Sequence, residues 1–272
     1  MPLGFIGTKV SEALSQTITG VGDVGKATIE ATRSNLVEGL KSVKEIMAEA
    51  SSLAGDTVAG AIQAASKVGA ELGTTAKGAV IGSIQAVGEV TTVTTGVISD
   101  TIRAAIKGTS EVGGDVAKVA QGAAEGALSA TKNLGVGLED TAFSIARGAI
   151  QGARETGTDL ASVAKGTVQG TVTGTKEIGG DVLDAVHSTT RGTIKGTAEV
   201  GGDLATVAQK AVEGAIEGAK SVAVNTEDAA SAAASGAVEA AGEIGESAVK
   251  TVKDALSGTI SGVKVIIKSP FK

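Results

Sequence analysis

The chain has 272 residues, a length typical of one or two domains, but its composition is unlike that of an ordinary globular domain. It contains 40 glycines, two prolines, three phenylalanines and no tryptophan, tyrosine or cysteine. Aromatic side chains supply much of the buried area of most cores, and this chain has almost none. The net charge of −6 argues against broad nucleic-acid binding, and a single histidine excludes a His-based metal site or catalytic triad as the main function. The composition predicts a protein that is not an enzyme and uses no cofactor or metal.

The first segment, residues 1–11, is a short apolar lead that lacks the basic start and long apolar core of a secretory signal. Uncharged runs elsewhere, such as residues 78–88, are much shorter than the roughly 20 residues that a membrane-spanning helix needs. A GxGxxG match begins at Gly20, but a P-loop would need serine or threonine after Lys26, where Ala27 stands. We therefore expect a cytoplasmic protein, free or peripheral on a membrane or lipid body, that binds no nucleotide.

The main segment, residues 12–262, is a repeat region. Small residues, nearly all of them glycine, recur every 22 positions from Gly60 to Gly258 without an insertion. An aliphatic side chain stands two positions after each of them. These aliphatic residues form the predicted lipid-binding or helix-packing face: Ile62, Ile84, Ile106, Leu128, Ile150, Val172, Ile194, Ile216, Val238 and Ile260.

Each 22-residue repeat divides into two elevens, and an 11-residue period corresponds to about 3.67 residues per turn, close to the α-helical value. Apolar and small residues fill one arc of about 160°, and nearly all charges fall outside it. The sequence therefore predicts an all-α protein without a globular core. It is either one long amphipathic helix or several helices in a shared phase.

Two kinds of sequence are candidate interruptions of the helix. The stretch at residues 91–99 is rich in β-branched residues and is the least helix-prone part of the chain. Gly-Gly-Asp steps, for example at residues 113–115 and 179–181, have the chemistry to end one helix and cap the next. The helical phase is kept across these steps, which slightly favours a continuous helix and leaves both alternatives open.

The glycines are placed at particular positions of the repeat. Glycine in a helix costs about 1 kcal/mol relative to alanine, so that a lone helix with this composition is not expected to be stable in water. Pairs of glycine four residues apart line one border of the apolar arc, where small residues let helix backbones approach closely. The predicted close-packing glycines are Gly148, Gly152, Gly170, Gly174, Gly192, Gly196, Gly214, Gly218, Gly258 and Gly262. The alternative is that glycine only softens a helix lying on a surface.

The charges are unevenly distributed around the polar arc. Basic residues such as Lys176 concentrate on one edge, and acidic residues such as Glu177 and Asp181 on the other. Parallel helices lying side by side would bring these unlike edges together. A solvated face of mixed charge is the alternative.

The last segment, residues 263–272, is a basic and apolar tail. It contains Lys264, Lys268 and Lys272 together with Phe271 and several aliphatic residues. Lysine beside apolar side chains is a composition that binds anionic lipid surfaces. The alternative is a tail that only aids solubility.

The stretch at residues 207–215, Val-Ala-Gln-Lys-Ala-Val-Glu-Gly-Ala, resembles the eleven-residue repeat of the synucleins. The threonine-, valine-, glycine- and alanine-rich elevens are also similar to those of the perilipin coat proteins of lipid droplets. The resemblance is one of repeat type and extends, as periodicity, over most of the chain. It implies disorder in water and an extended helix on lipid.

Two functions fit these features. The first is a non-enzymatic structural protein whose amphipathic repeat helix coats a lipid or membrane surface, with lateral association of its copies. The second is a self-assembling filament or helical array packed through glycine and alanine grooves without lipid. A protectant that folds on drying is a third and weaker alternative. The expected partners are lipid, copies of the same chain in a homo-oligomer or polymer, or both, and not nucleic acid.

Overall fold

The computed structural model of the chain describes residues 8, 11–12, 24–41, 46–132 and 134–267. From residue 24 onward, this part of the chain forms helices followed by a two-stranded antiparallel hairpin, so the all-α prediction is confirmed. The helices are α1 (Val24–Lys41), α2 (Ile46–Lys67), α3 (Leu72–Val90), α4 (Thr95–Glu111), α5 (Val116–Thr131), α6 (Leu138–Thr156), α7 (Leu160–Ile178), α8 (Val182–Glu199), α9 (Leu204–Ser221), α10 (Thr226–Ile244) and α11 (Glu246–Leu256). The strands are β1 (Thr259–Ile260) and β2 (Val263–Lys264). The predicted lead, residues 1–11, lies outside the described residues except at positions 8 and 11.

Glycine ends most of these helices. Six glycines, each shortly after a helix, have a left-handed backbone with φ between +68° and +73°: Gly69, Gly113, Gly135, Gly157, Gly179 and Gly201. The next amide then bonds back into the helix, as the Gly180 amide does to the Thr175 carbonyl (3.0 Å). This is a C-terminal cap that residues with a side chain adopt with difficulty. One continuous helix is therefore the wrong alternative, and several helices in a shared phase is the right one.

A polar side chain starts most of the helices that follow such a turn. The side chains of Asp115, Asp159, Asp181, Asp203 and Asn225 accept hydrogen bonds from the first backbone amides of α5, α7, α8, α9 and α10. From α7 to α10, consecutive caps stand one repeat apart in the sequence. One helix with its turn therefore fills one repeat, which explains why the helical phase is kept although the helix is broken.

The break expected at residues 91–99 is shorter than predicted. α3 ends at Val90, and the Thr94 hydroxyl accepts a hydrogen bond from the Val97 amide (3.4 Å) to start α4. Val97 and Ile98 are buried within α4. Their burial outweighs the low helix propensity of β-branched residues.

The helices form two layers. From α2 to α10, short turns reverse the chain between consecutive helices, so that helices adjacent in sequence are antiparallel. The most extensive contacts join each helix from α1 to α8 to the helix two further along, which is parallel to it. The odd-numbered helices therefore make one layer and the even-numbered helices the other. α11 and the hairpin pack on α9 and α10 at the C-terminal end of this stack of 44-residue, two-helix units.

The core contains mainly small side chains. Its largest fully buried members are leucine and isoleucine, and they are surrounded by alanine, valine and threonine. Many of the buried threonine hydroxyls donate to the carbonyl one turn earlier, as Thr193 does to Thr189 (2.8 Å). The expectation of no globular core is wrong, because the separate helices fold back and bury one another's apolar arcs.

The predicted repeat region, 12–262, ends early. α11 stops at Leu256, and Ser261 and Gly262, with φ of +49° and +81°, form the two-residue turn of the hairpin. Gly258, with φ of +104°, also has a backbone that no helix contains. Gly258, Ile260 and Gly262 therefore keep the 22-residue spacing of the repeat but are not helical, because local turn geometry decides their conformation.

Ala223 is the exception among the residues that end helices. It stands one repeat after Gly201 and has φ of +54°, a left-handed backbone that costs a residue with a side chain about 1 kcal/mol. We expect Ala223→Gly to raise the free energy of unfolding by about 0.5–1 kcal/mol, because relief of this strain outweighs the greater freedom of glycine in the unfolded chain. Urea denaturation followed by far-UV circular dichroism measures the change.

The matched control is Gly201→Ala, which places a side chain in the same conformation and should lower the free energy of unfolding by a similar amount. An Ala223→Gly variant that is no more stable than the natural chain would contradict the prediction.

Candidate functional surface

The structure places the predicted lipid-binding or helix-packing face inside the fold. Nine of its ten residues, from Ile62 to Val238, are at most 2 % exposed, and Ile260 is half-buried in β1. The large apolar side chains that are exposed in the described part of the chain are Leu183, Ile244 and Ile266. The outer surface of the described helices therefore lacks a continuous apolar stripe.

Eight of the predicted close-packing glycines lie where two parallel helices of one layer touch. They are Gly148, Gly152, Gly170, Gly174, Gly192, Gly196, Gly214 and Gly218, and a Cβ at any of them would lie 3.3 Å or less from the neighbouring helix. At Gly170 of α7, a Cβ would overlap the carbonyl oxygen of Gln121 in α5 and lie 2.8 Å from its Cα. Such contacts let glycine Cα–H groups face carbonyl oxygens of the next helix.

The other two predicted packing glycines are Gly258 and Gly262, and a Cβ at either of them would meet no atom of a neighbouring helix within 4 Å. Both belong to the hairpin segment and have positive φ. They are turn residues, and their assignment to helix packing is wrong because the helices end before them.

Unlike charges meet across the parallel helices on the outer face of the even-numbered layer. In each pair a cation on one helix contacts an acid on the next helix of the layer, slightly more than two repeats later in the sequence. The pairs are Lys107–Glu155 (2.7 Å), Arg147–Glu199 (2.9 Å), Arg191–Glu239 (3.3 Å), Arg191–Glu243 (2.6 Å) and Lys195–Glu243. We call this row of pairs, from α4 to α10, the charge ladder. Its glutamates Glu155, Glu199 and Glu243 belong to the predicted acidic edge. Its cations stand at other positions of the repeat than Lys176, so the prediction that the basic edge meets the acidic edge is wrong for this row.

In every pair of the charge ladder, the cation lies on the earlier helix and the acid on the later one. α8 supplies cations to Glu239 and Glu243 of α10, and the hydrogen bonds that Lys195 and Arg191 donate lower the pKa of Glu243. The sequence of α10 contains acids but no lysine or arginine. The glutamates of α10 therefore pair with cations of α8, but α10 has no lysine or arginine that could pair with an acid on a further helix.

The odd-numbered layer has a cleft of about 260 Å³ between α3 and α5. Lys77 lies there and pairs with Glu125 (3.1 Å) and with Glu177 of α7 (2.9 Å). Partial burial opposes the charge of Lys77, but the hydrogen bonds it donates to Glu177 and Glu125 outweigh this and raise its pKa. Because Lys77 is held by carboxylates from two other helices, we interpret the cleft as a joint between helices.

Two residues that depart from the repeat lie in the even-numbered layer. Phe143 stands where other repeats have a polar side chain, and the charged groups of Arg191 and Lys195 are each 5.8 Å from its ring centre. The His187 Nε2 lies 3.1 Å from Glu239. Both residues therefore connect α8 to its neighbours within the layer.

The aspartate caps make stability depend on pH. Hydrogen bonds that Thr206 donates hold the pKa of Asp203 below its usual 3.8. The charged cap therefore stabilises the fold above that pH, and its contribution is lost as the pH falls through the lower folded-state pKa. We expect Asp203→Ala to cost about 1 kcal/mol near neutral pH. Urea denaturation at about pH 7 and about pH 2 should show this cost shrinking in acid.

Asn225 supplies an uncharged control at the equivalent position of α10, where its side chain accepts from the Glu227 amide (2.8 Å). The cost of Asn225→Ala should be the same at both pH values, since no proton binds to this cap. If the cost of Asp203→Ala were also the same at both pH values, the assignment of Asp203 as a charged cap would be contradicted.

Within residues 24–41, 46–132 and 134–267, histidine, aspartate and glutamate side chains form no group of three or more that could hold a metal ion. Over the same residues, no helix is both long and apolar enough to cross a membrane. Of the predicted basic tail, Lys264 is exposed on β2, and Lys268 and Lys272 lie outside the described residues.

The cations of the charge ladder could not be identified from the uneven distribution of charge. That distribution predicted that the basic edge of Lys176 would meet the acidic edge, but the cations that contact the acidic edge stand at other positions of the repeat. A search for cations and acids separated by two repeats plus one or two helical turns would have found them, because this separation joins the same edges of two helices that are parallel neighbours.

No protein-family model matches the chain, and comparison with curated proteins finds no match. The resemblance to synucleins and perilipins therefore stays a prediction. The function of the chain has to be inferred from its geometry.

Proposed function

We propose that the chain is a non-enzymatic structural protein: a self-contained helical array that holds its shape without lipid and keeps its two ends a fixed distance apart. The observation that carries this proposal is the burial of nine repeat residues, from Ile62 to Val238, at 2 % exposure or less. The face that the sequence makes available for lipid or for other copies is already occupied by neighbouring helices of the same chain.

The packing of glycine supports the same proposal. Glycine weakens each helix taken alone, but Gly170 and its equivalents place helix backbones in direct contact over the whole stack. Close backbone contact adds dispersion energy along the full length of each helix pair. The cost of glycine is thus offset only when the helices are stacked, which links the composition of the chain to the array.

The paired charges provide a third support. Ion pairs such as Arg147–Glu199 join parallel helices across the outer face and leave a surface of mixed charge. Each exposed pair contributes little stability alone. Arg191 contacts two glutamates one turn apart, Glu239 and Glu243, so the pairs favour parallel neighbouring helices and not one particular register.

Coating of lipid by the repeat face is the second candidate function. It is favoured by the small side chains of the core, which contains no buried aromatic residue among those described. Modest apolar burial per helix lets a lipid surface compete for the same arc. In this alternative the helices separate and lie in the headgroup region.

Circular dichroism and sedimentation of the full chain test the proposal. Without lipid, over about a hundredfold range of concentration, the array predicts strong helical signal, a cooperative thermal transition and a sedimentation coefficient of one chain, all independent of concentration. Helix content that rises with concentration, with large particles, would instead establish self-assembly between copies. Coil in buffer that becomes helix only with anionic vesicles would overturn the array and establish the lipid coat.

A further inference from the structure

The charge of the chain is unevenly divided between its C-terminal end and the rest. Residues 246–272 contain five lysines and two acids, a net charge of +3. The remaining residues contain 19 basic and 28 acidic side chains, a net charge of −9. A basic end on an acidic protein is a candidate contact for an anionic partner.

Three of these lysines lie in the described end of the stack. Lys250 and Lys253 are exposed on α11, and Lys264 is exposed on β2. Ion pairs join none of the three to another described residue, in contrast to the cations of the charge ladder. Their charges are therefore not balanced by an ion pair within the described part of the stack.

Exposed apolar side chains occur at the same end. Ile266 is 52 % exposed and Ile244 is 43 % exposed, the two highest values among the large apolar residues described. Ile266 stands two positions after Lys264, and the sequence continues with Lys268, Phe271 and Lys272. Lysine next to exposed aliphatic side chains suits a partner that has both negative charge and an apolar layer, which is the character of an anionic lipid surface.

The side of the C-terminal end that faces the stack is buried. Ala248, Val252 and Leu256 of α11 are buried against the stack, so the lysines lie on the side that faces away from it. A second copy stacking here would continue the even-numbered layer, but α10 has no cation with which to extend the charge ladder. The stack therefore ends here, and a helix from a second copy of the chain is not the partner that fits this end.

We propose that the C-terminal end formed by Lys250, Lys253, Lys264 and Ile266 binds anionic lipid headgroups, so that the array meets a membrane surface with its end and keeps its helices folded. Three lysines near a charged surface strengthen binding by roughly fivefold each. Ile266 adds apolar contact at the level of the headgroups. This proposal goes beyond the array itself, since the array is tested without lipid.

Vesicle flotation of the full chain tests the proposal, with phosphatidylserine-containing vesicles and with pure phosphatidylcholine vesicles. We expect binding to the anionic vesicles alone. The triple variant Lys250→Glu, Lys253→Glu, Lys264→Glu should bind at least about tenfold more weakly. Ile266→Asp, which changes an exposed residue and leaves the lysines in place, should weaken binding by about fivefold or more. Thermal melting of each variant shows that the fold is retained.

The matched control reverses three exposed lysines elsewhere, Lys132, Lys176 and Lys220, at the C-terminal ends of α5, α7 and α9. Their reversal changes the net charge equally and should leave flotation unchanged. Equal loss in both triple variants would overturn the proposal, as would absence of flotation. Binding to heparin as strong as binding to vesicles, with no effect of Ile266→Asp, would assign the end to a polyanion instead. Flotation accompanied by loss of the cooperative transition would overturn end-on contact and favour coating by the repeat face.

Discussion

Aspartate in place of Ile194 is expected to unfold the part of the array around α8. Ile194 lies in the middle of α8 and is completely buried. Loss of a buried isoleucine costs about 2–5 kcal/mol, and an unpaired buried carboxylate costs several kcal/mol more. The sum is comparable to the whole stability of a typical domain. Urea denaturation followed by far-UV circular dichroism should therefore show a large loss of the cooperative transition.

The same substitution has a control on the same helix. Leu183 is 36 % exposed in the first turn of α8, where the positive end of the helix dipole favours a carboxylate. Leu183→Asp should change the free energy of unfolding by no more than about 0.5 kcal/mol. Equal behaviour of the two variants would contradict the burial of Ile194 and would indicate that the repeat face is turned outwards.

The loss at Ile194→Asp should also depend on pH. Burial raises the pKa of an aspartate above its unfolded value, because the charged form is disfavoured away from water. The destabilisation therefore grows as the pH rises through the unfolded-state pKa, and it should be smaller at about pH 4 than at about pH 7. If the loss of unfolding free energy did not depend on pH, removal of the isoleucine side chain alone would account for it.

Alanine in place of Gly170 is the second substitution with a large expected effect. Alanine improves the helix propensity by about 1 kcal/mol, but its methyl group would overlap the Gln121 carbonyl oxygen. The Cβ position is fixed by the backbone of α7 and the Gln121 oxygen belongs to the backbone of α5, so no rotamer change relieves the overlap and the two helices have to separate. We expect a net loss of about 2 kcal/mol in the free energy of unfolding.

The sign of this change separates the two interpretations of glycine. If glycine only softens the helix, Gly170→Ala stabilises the protein by its propensity gain. Gly96→Ala is the matched control, because a Cβ there would lie 3.5 Å from Thr94 Oγ1, an ordinary contact in the exposed first turn of α4. It should raise the free energy of unfolding by up to about 1 kcal/mol. A stabilising Gly170→Ala, measured in the same urea experiment, would contradict close packing of these helices.

The repeat, its helical period and the all-α class could be predicted from the sequence. Each unit buries the same positions, so apolar residues recur at those positions in every unit. The choice between one helix and many could not. A Gly-Gly-Asp step such as residues 179–181 has turn chemistry, yet a helix and turn that together fill one repeat keep the phase of an unbroken helix. A constant helical phase is therefore expected both for one continuous helix and for a stack of separate helices.

The position of the apolar face could not be predicted for a related reason. An arc that contains Ile194 has the same pattern whether lipid or another helix covers it. Pairing of Arg191 with Glu243 depends on the stagger between parallel helices, which the close packing of glycine sets and which no single helix reveals. At Gly262 the repeat spacing was misleading, because a two-residue turn needs glycine for its own reasons.

The constant offset between neighbouring helices has a consequence for the evolution of the chain. Gly170 packs on Gln121 and Gly214 packs on Lys165, and the separation in sequence is the same for both pairs. A tandem duplication of residues 160–203 would therefore insert a helix pair whose glycines meet the correct backbone positions on both sides. Each such genetic event would lengthen the protein by one helix spacing of about 8–10 Å. An insertion of another size within a helix would displace the glycine contacts that span it, so related sequences are expected to differ in length by whole units.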